Sequence, residues 1–99
     1  MTVKKNLSKT GKSARVTFTA PAVENVDSVY VVGDFNEWDR SATPLQKRKD
    51  GRFSGTVSME AGREYRFKYL VGEDQWINDD AADKYVANDY GSDDSVIQI

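Results

Sequence analysis

Residues 64–71 have the sequence EYRFKYLV, in which large apolar and polar side chains alternate. Alternation with a period of two is typical of a β-strand with one buried face, because successive side chains of a strand point to opposite sides. The segment therefore predicts a strand whose core face holds Tyr65, Phe67, Tyr69 and Val71 and whose outer face holds Arg66, Lys68 and Leu70.

Similar short strands are predicted on both sides of this segment. Residues 15–20, 28–32, 52–59 and 95–99 are alternating or continuous apolar runs, and Asp50-Gly51 before the third is a strong hairpin signal. No window of eleven or more residues has the apolar stripe of a helix. The sequence predicts an all-β fold, an immunoglobulin-like antiparallel β-sandwich of about seven to eight strands. After a short strand at residues 75–77, a long polar loop is expected before the last strand.

The composition excludes several kinds of chemistry. The chain has 99 residues, enough for one domain, and contains no Cys and no His. Disulfides, thiolate nucleophiles, a Ser-His-Asp triad and the usual zinc ligands are therefore excluded. No segment is long and apolar enough to span a membrane, and the basic N-terminus lacks the apolar segment of a signal peptide. A cytoplasmic location is the default expectation.

Charge is distributed unevenly along the chain. The net charge is -2, yet residues 1–15 contain five basic and no acidic side chains, while residues 73–94 are strongly acidic. Both runs are expected to be solvated surface, and a surface for nucleic acid is not expected. The predicted organisation is a basic N-terminal arm or edge strand at 1–13, followed by the sandwich at 14–99.

Catalytic and metal sites have little support in the sequence. Asp79, Asp80 and Asp83 could supply paired carboxylates, but they belong to one local loop of a domain too small for a deep cleft. Residues 89–94 are rich in Asp but do not fit the spacing of a calcium-binding loop. No phosphate-binding or dinucleotide motif is present. The chain is therefore not expected to be an enzyme, to hold a metal or to use a cofactor.

Residues 31–39, VVGDFNEWD, are the most informative stretch for function. An apolar strand ends at Gly33 and leads into a polar turn in which Phe35 is expected to anchor the core. Trp38 lies among polar neighbours and has no core periodicity. From the residues alone, Trp38 is either a lid over one end of the sandwich or an exposed platform.

A second aromatic side chain is expected to point outward. Ile77 has the parity of a core residue, so the neighbouring Trp76 is expected on an outer face, where it could join Lys68. Flat aromatic rings can cover the apolar face of a sugar while amine, amide and hydroxyl groups bind its hydroxyl edge. Trp38, Trp76 and Lys68 together therefore indicate a carbohydrate-binding surface.

The segment VYVVGDFNEW at residues 29–38 resembles the signature of the family 48 carbohydrate-binding modules. These are early-set, immunoglobulin-like domains found beside isoamylase and branching-enzyme barrels, and they form the glycogen-binding domain of the AMP-activated kinase β subunit. The resemblance covers about residues 14–99. Further matches follow in order at 50–51, 62–69, 76–79, 83–86 and 91–96.

The resemblance implies non-catalytic binding of α-1,4-glucan, whether glycogen, starch or maltooligosaccharide. Trp38 and Trp76 match the stacking positions and Lys68 the strand lysine that binds sugar hydroxyls. Asp94 stands where glucan-binding members have Asn, and a carboxylate cannot donate the hydrogen bonds of an amide. The alternative is a regulatory or protein-interaction module that docks on a glucan-metabolising enzyme or kinase. A polar rim is expected from Asn78, Tyr90, Ser92 and Asp94.

Overall fold

A computed structural model describes residues 3–20, 26–72, 75–79, 82–88 and 91–99. In this part of the chain there are nine β-strands and a short 3₁₀ helix at Asp34–Asn36. The strands are β1 (Val3–Leu7), β2 (Ser13–Thr19), β3 (Val29–Gly33), β4 (Gln46–Lys47), β5 (Phe53–Glu60), β6 (Glu64–Val71), β7 (Gln75–Ile77), β8 (Lys84–Ala87) and β9 (Asp93–Gln98).

The strands form two antiparallel sheets, which confirms the expected β-sandwich. One sheet has the order β1-β2-β5-β4 and the other has the order β3-β6-β9-β8. Strand β6 has a third partner, because β9 pairs with its first half and β7 with Tyr69–Val71. Strand β8 was not expected: it lies inside the segment for which the sequence predicts a long polar loop.

The core lies between the two sheets and includes the predicted inner face of β6. Tyr65, Phe67, Tyr69 and Val71 are at most 4% exposed, as the alternation of residues 64–71 predicts. Phe18 on β2 is central to this core, since its ring stacks on Phe35 at 5.4 Å and meets Phe67 edge-on at 5.0 Å. Phe35, in the 3₁₀ helix, thus anchors the core as expected.

Strand β1 is an edge strand that is tied to the opposite sheet by charge. Lys5 bonds the carboxylate of Asp83 and, at 2.7 Å, the carbonyl oxygen of Gln98 on β9. Burial by itself would raise the pKa of Asp83, but hydrogen bonds from the Gln98 N–H and the Lys5 ammonium hold that pKa below the usual 3.8. The basic and acidic runs, expected to be solvated, therefore meet at this ion pair.

Strand β8 is attached by a second polar contact. Lys84 donates to the Glu64 carboxylate at 2.8 Å, and the Gln98 side chain donates to the same oxygen at 2.8 Å. These hydrogen bonds lower the pKa of Glu64 from its usual 4.5. Within the described ranges, no helix is long and apolar enough to cross a membrane.

Candidate functional site

The turn that leads to Trp38 begins where β3 lies unusually close to β6. Gly33, the last residue of β3, pairs with Phe67. A Cβ atom at position 33 would lie 2.3 Å from the Arg66 carbonyl oxygen and 2.8 Å from the Phe67 Cβ atom. Because such distances are far shorter than a van der Waals contact, only glycine allows this approach.

Asn36 closes the turn through its side-chain amide. Its oxygen accepts the Gly33 N–H at 3.0 Å, and its nitrogen donates to the Val31 carbonyl and the Thr43 hydroxyl, each at 3.0 Å. An Asn side chain with bonds to the strand before it and the loop after it holds the turn in one conformation. The turn that carries Trp38 is therefore held on both sides, by backbone groups of β3 and by the Thr43 hydroxyl.

Asp34 ties the Trp38 ring to β6. One carboxylate oxygen accepts the Arg66 backbone N–H at 2.8 Å, and the other accepts the Trp38 indole N–H at 2.9 Å. The backbone of Glu37 and Trp38 is left-handed, with φ of 58° at both residues, which is uncommon for residues other than glycine. Trp38 is half-buried and lies outside the inter-sheet core.

Trp76 lies on the outer face of the same sheet. It pairs with Leu70 of β6 and is 38% exposed, while Ile77 packs against the core, as the strand parity predicts. The Arg40 guanidinium lies 5.7 Å from the centre of the Trp76 ring, within the range of a cation–π contact. The ring is thus supported from the loop that follows Trp38.

Both tryptophans border one open groove of about 640 Å³. Lys68 lies on β6 opposite Val32, and its ammonium donates to the Ser92 hydroxyl at 3.1 Å. Lys68 forms no salt bridge with any described residue. The groove is lined by Trp38, Arg40, Lys68, Trp76, Asn88, Ser92 and Asp94.

The remaining wall of the groove is a hydrogen-bonded cluster between β8 and β9. The Asn88 amide nitrogen donates to the Ser92 hydroxyl at 3.1 Å and to the Asp94 carboxylate at 2.9 Å. The Asn88 amide oxygen accepts the Ser92 backbone N–H at 3.2 Å. Asp94 is only 6% exposed and also lies 3.9 Å from the Arg66 guanidinium, so its charge is compensated within the protein.

The structure brings together most of the residues proposed from the sequence. Trp38, Lys68, Trp76, Ser92 and Asp94 all line the groove, whereas Tyr90 lies outside the described residues.

Asn78 is directed elsewhere. Its amide donates to the Asp93 carbonyl at 2.9 Å and accepts the Ser95 hydroxyl at 2.9 Å, and it does not line the groove. Both hydrogen bonds join the segment after β7 to β9. We therefore leave Asn78 out of the proposed site.

Two lining residues, Arg40 and Asn88, do not stand out in the sequence. Arg40 follows Trp38 by two residues in a loop without periodicity, and Asn88 is one polar residue in a polar segment. Their spacing to Trp38 and Asp94 gives no strand or helix register from which a shared surface could be inferred. Their role becomes visible only when the two loops meet at the groove.

The acidic residues considered for catalysis do not face each other across the groove. Asp79 is 1% exposed and accepts the Tyr69 hydroxyl at 2.6 Å, and Asp83 is bound to Lys5. Asp80 lies outside the described residues. Among the described residues, no group of three or more acidic side chains is arranged to hold a metal ion.

Two comparisons with known proteins agree with this geometry. The family model described as "Glycogen recognition site of AMP-activated protein kinase" matches residues 14–99. The 1,4-alpha-glucan branching enzyme GlgB of Aquifex aeolicus (strain VF5) is 41% identical over 56 residues, which cover 54% of this chain and 9% of the enzyme. The chain therefore spans only a small part of that enzyme's length.

Proposed function

Because this chain belongs to the family of the glycogen recognition site of AMP-activated protein kinase, we propose that its groove binds α-1,4-glucan without cleaving it. The family is one of carbohydrate-binding modules, which are non-catalytic. The observation that supports the proposal best is the placement of Trp38, Lys68 and Trp76 around one open groove. The proposed ligands are glycogen, starch and maltooligosaccharides.

Stacking on the two indole rings would supply most of the binding energy. If each ring covers about 100 Å² of apolar sugar surface, burial contributes about 2.5 kcal/mol per ring. Association costs reduce the net free energy to roughly -4 to -6 kcal/mol, or a Kd between about 1 mM and tens of µM. Weak single-site binding suits a polymer, because neighbouring modules on one chain raise the avidity.

Hydrogen bonds at the base of the groove would orient the sugar. The Lys68 ammonium has three N–H donors, and in the part of the chain that the structure describes Ser92 accepts one of them while no other acceptor is present. The remaining donors are available to glucose hydroxyls, while water competes for each of those bonds. Hydrogen bonding would therefore select the position of the ring more than it raises the affinity.

Titration with maltoheptaose tests the proposal. Binding is monitored by calorimetry and by tryptophan fluorescence. Trp76→Ala and Trp38→Ala are each expected to abolish measurable binding, because either change removes one of two stacking surfaces. The control is Leu7→Ala, which removes an apolar side chain that is 63% exposed and lies outside the groove. The control should bind like the wild type, and all three variants should keep the β-sheet circular dichroism spectrum.

Absence of heat and of fluorescence change with wild-type protein at several millimolar maltoheptaose would overturn glucan binding. The protein-interaction module expected from the sequence would then take its place, with an enzyme or kinase as partner. The proposal also retains the cytoplasmic location that the sequence suggests by default. Release of reducing sugar from amylose by the protein alone would contradict the non-catalytic role.

A further inference from the structure

The cluster of Asn88, Ser92, Asp94 and Lys68 contains hydrogen bonds whose direction can be assigned. A carboxylate only accepts hydrogen bonds, so the Asn88 group that faces Asp94 at 2.9 Å must be the NH₂ group. The Asn88 oxygen then faces the Ser92 backbone N–H at 3.2 Å, which is a donor. Asp94 and the Ser92 backbone N–H therefore both fix the orientation of the Asn88 amide.

The orientation of Asn88 has a consequence for the Ser92 hydroxyl. Its oxygen accepts from the Asn88 NH₂ group at 3.1 Å and from the Lys68 ammonium at 3.1 Å, which occupies both lone pairs. Among the described residues, the hydroxyl proton reaches only the Asn88 oxygen, at 3.4 Å, well beyond the usual 2.5–3.0 Å of such bonds. That proton remains available to an oxygen atom in the groove.

We propose that Asn88 is a positioning residue that makes the Ser92 hydroxyl a hydrogen-bond donor to the bound sugar. In this proposal Asp94, in the wall of the groove, holds the Asn88 amide in place and does not itself contact the sugar. The inference rests on the proposed glucan binding. It names the side chains that would supply hydrogen-bond donors here, where this chain has Asp94 in place of the Asn of glucan-binding members. The groove then presents donors, from Lys68 and Ser92, to hydroxyl or ring oxygens of the glucan.

The test uses Asn88→Asp and the exchange Asn88→Asp/Asp94→Asn, of which only the exchange leaves the net charge unchanged. In Asn88→Asp, two acceptor-only carboxylates face each other, so both the melting temperature and the affinity for maltoheptaose should fall, the affinity by tenfold or more. In Asn88→Asp/Asp94→Asn, the new amide donates to the new carboxylate. The melting temperature should return close to that of the wild type.

The double variant separates positioning from a purely structural role. Its Asp at position 88 would capture the Ser92 proton, so affinity should stay at least fivefold below the wild type although stability is restored. Affinity that recovers together with the melting temperature would overturn the proposal, and so would an unchanged affinity in Asn88→Asp. If Asn88→Asp does not fold, the double variant alone decides.

Asn78→Asp is the matched control. Asn78 makes a comparable pair of amide hydrogen bonds to β9 outside the groove. This change should lower the melting temperature and leave the affinity within twofold of the wild type. Lack of maltoheptaose binding by the wild type would refute the proposed function itself. Wild-type binding that the exchange at positions 88 and 94 leaves unaltered would refute only the positioning role of Asn88.

Discussion

Gly33 is the residue on which the position of Trp38 depends most directly. Its missing side chain lets the end of β3 lie against the Arg66 carbonyl, and this contact places Asp34 where it can accept the Arg66 N–H. The same carboxylate accepts the Trp38 indole N–H. One close backbone approach thus aligns both the turn and the ring.

Gly33→Ala is expected to destabilise the fold by about 1–3 kcal/mol or more, because the new methyl group would overlap backbone atoms that cannot rotate away. Urea denaturation would measure the loss. Gly55→Ala is the control, since its Cβ would meet chiefly the flexible end of Leu45, at 2.9 Å. A cost under about 1 kcal/mol is expected there, and equal costs at both positions would refute the explanation.

Strand parity predicted the direction of several side chains, but it could not predict that the loops of Arg40 and Asn88 lie together at the groove. Parity placed Ile77 in the core and Trp76 outside, and both placements are confirmed. Arg40 and Asn88 could not be predicted, because each reaches the groove through contacts between segments far apart in sequence. Asp94 illustrates the same limit, since its burial beside Arg66 depends on the pairing of β6 with β9.

At the scale of the element, β8 shows why an edge strand is hard to predict. Its residues, Lys84–Ala87, are exposed or half-buried and have no clear apolar face. Their strand conformation comes from pairing with β9 and from the contact between Lys84 and Glu64. By contrast, β6 has a buried face along its whole length, and its sequence alone predicts it.

Strand β1 is attached by an ion pair whose strength should depend on pH. The pKa of Asp83 is lowered in the folded protein, so its contribution to stability is present above the unfolded value and is lost as the pH falls through the folded value. Asp83→Asn should lower the melting temperature at pH 7, and the difference should shrink below about pH 4.

The exposed Asp27, whose side chain is not part of the β1 contact, provides the control. The difference in melting temperature between Asp27→Asn and the wild type should stay small at pH 7, where the difference for Asp83→Asn is largest. If the melting-temperature difference between Asp83→Asn and the wild type stays the same from pH 7 to pH 3, the Asp83 carboxylate does not hold β1.

At the scale of the whole molecule, the affinity for the ligand is expected not to depend on the net charge of the protein. The net charge is -2, and the proposed ligand is neutral. Asp94, which lines the groove, lies 3.9 Å from the Arg66 guanidinium and its charge is compensated there, so binding of a neutral sugar releases few counterions. The molecule as a whole has no excess positive charge to attract a polyanion.

Affinity for maltoheptaose should therefore change by less than about twofold between 50 and 500 mM NaCl, measured by calorimetry. Heparin, a sulfated polysaccharide, is the comparison ligand and should not compete at low salt. A steep loss of maltoheptaose affinity with salt would mean that ionic contacts dominate the groove, contrary to the stacking proposed here.

The attachment of Trp38, Lys68 and Trp76 to the single strand β6 has a consequence for how this surface can evolve. Asp34 of the Trp38 turn bonds the β6 backbone, Lys68 belongs to β6, and Trp76 pairs with Leu70 of β6. The separation of the two rings is therefore set by peptide geometry along one strand. Substitutions in the surrounding loops can diversify ligand preference while the aromatic spacing stays constant, whereas a one-residue insertion in β6 would turn Lys68 inward and eliminate the site.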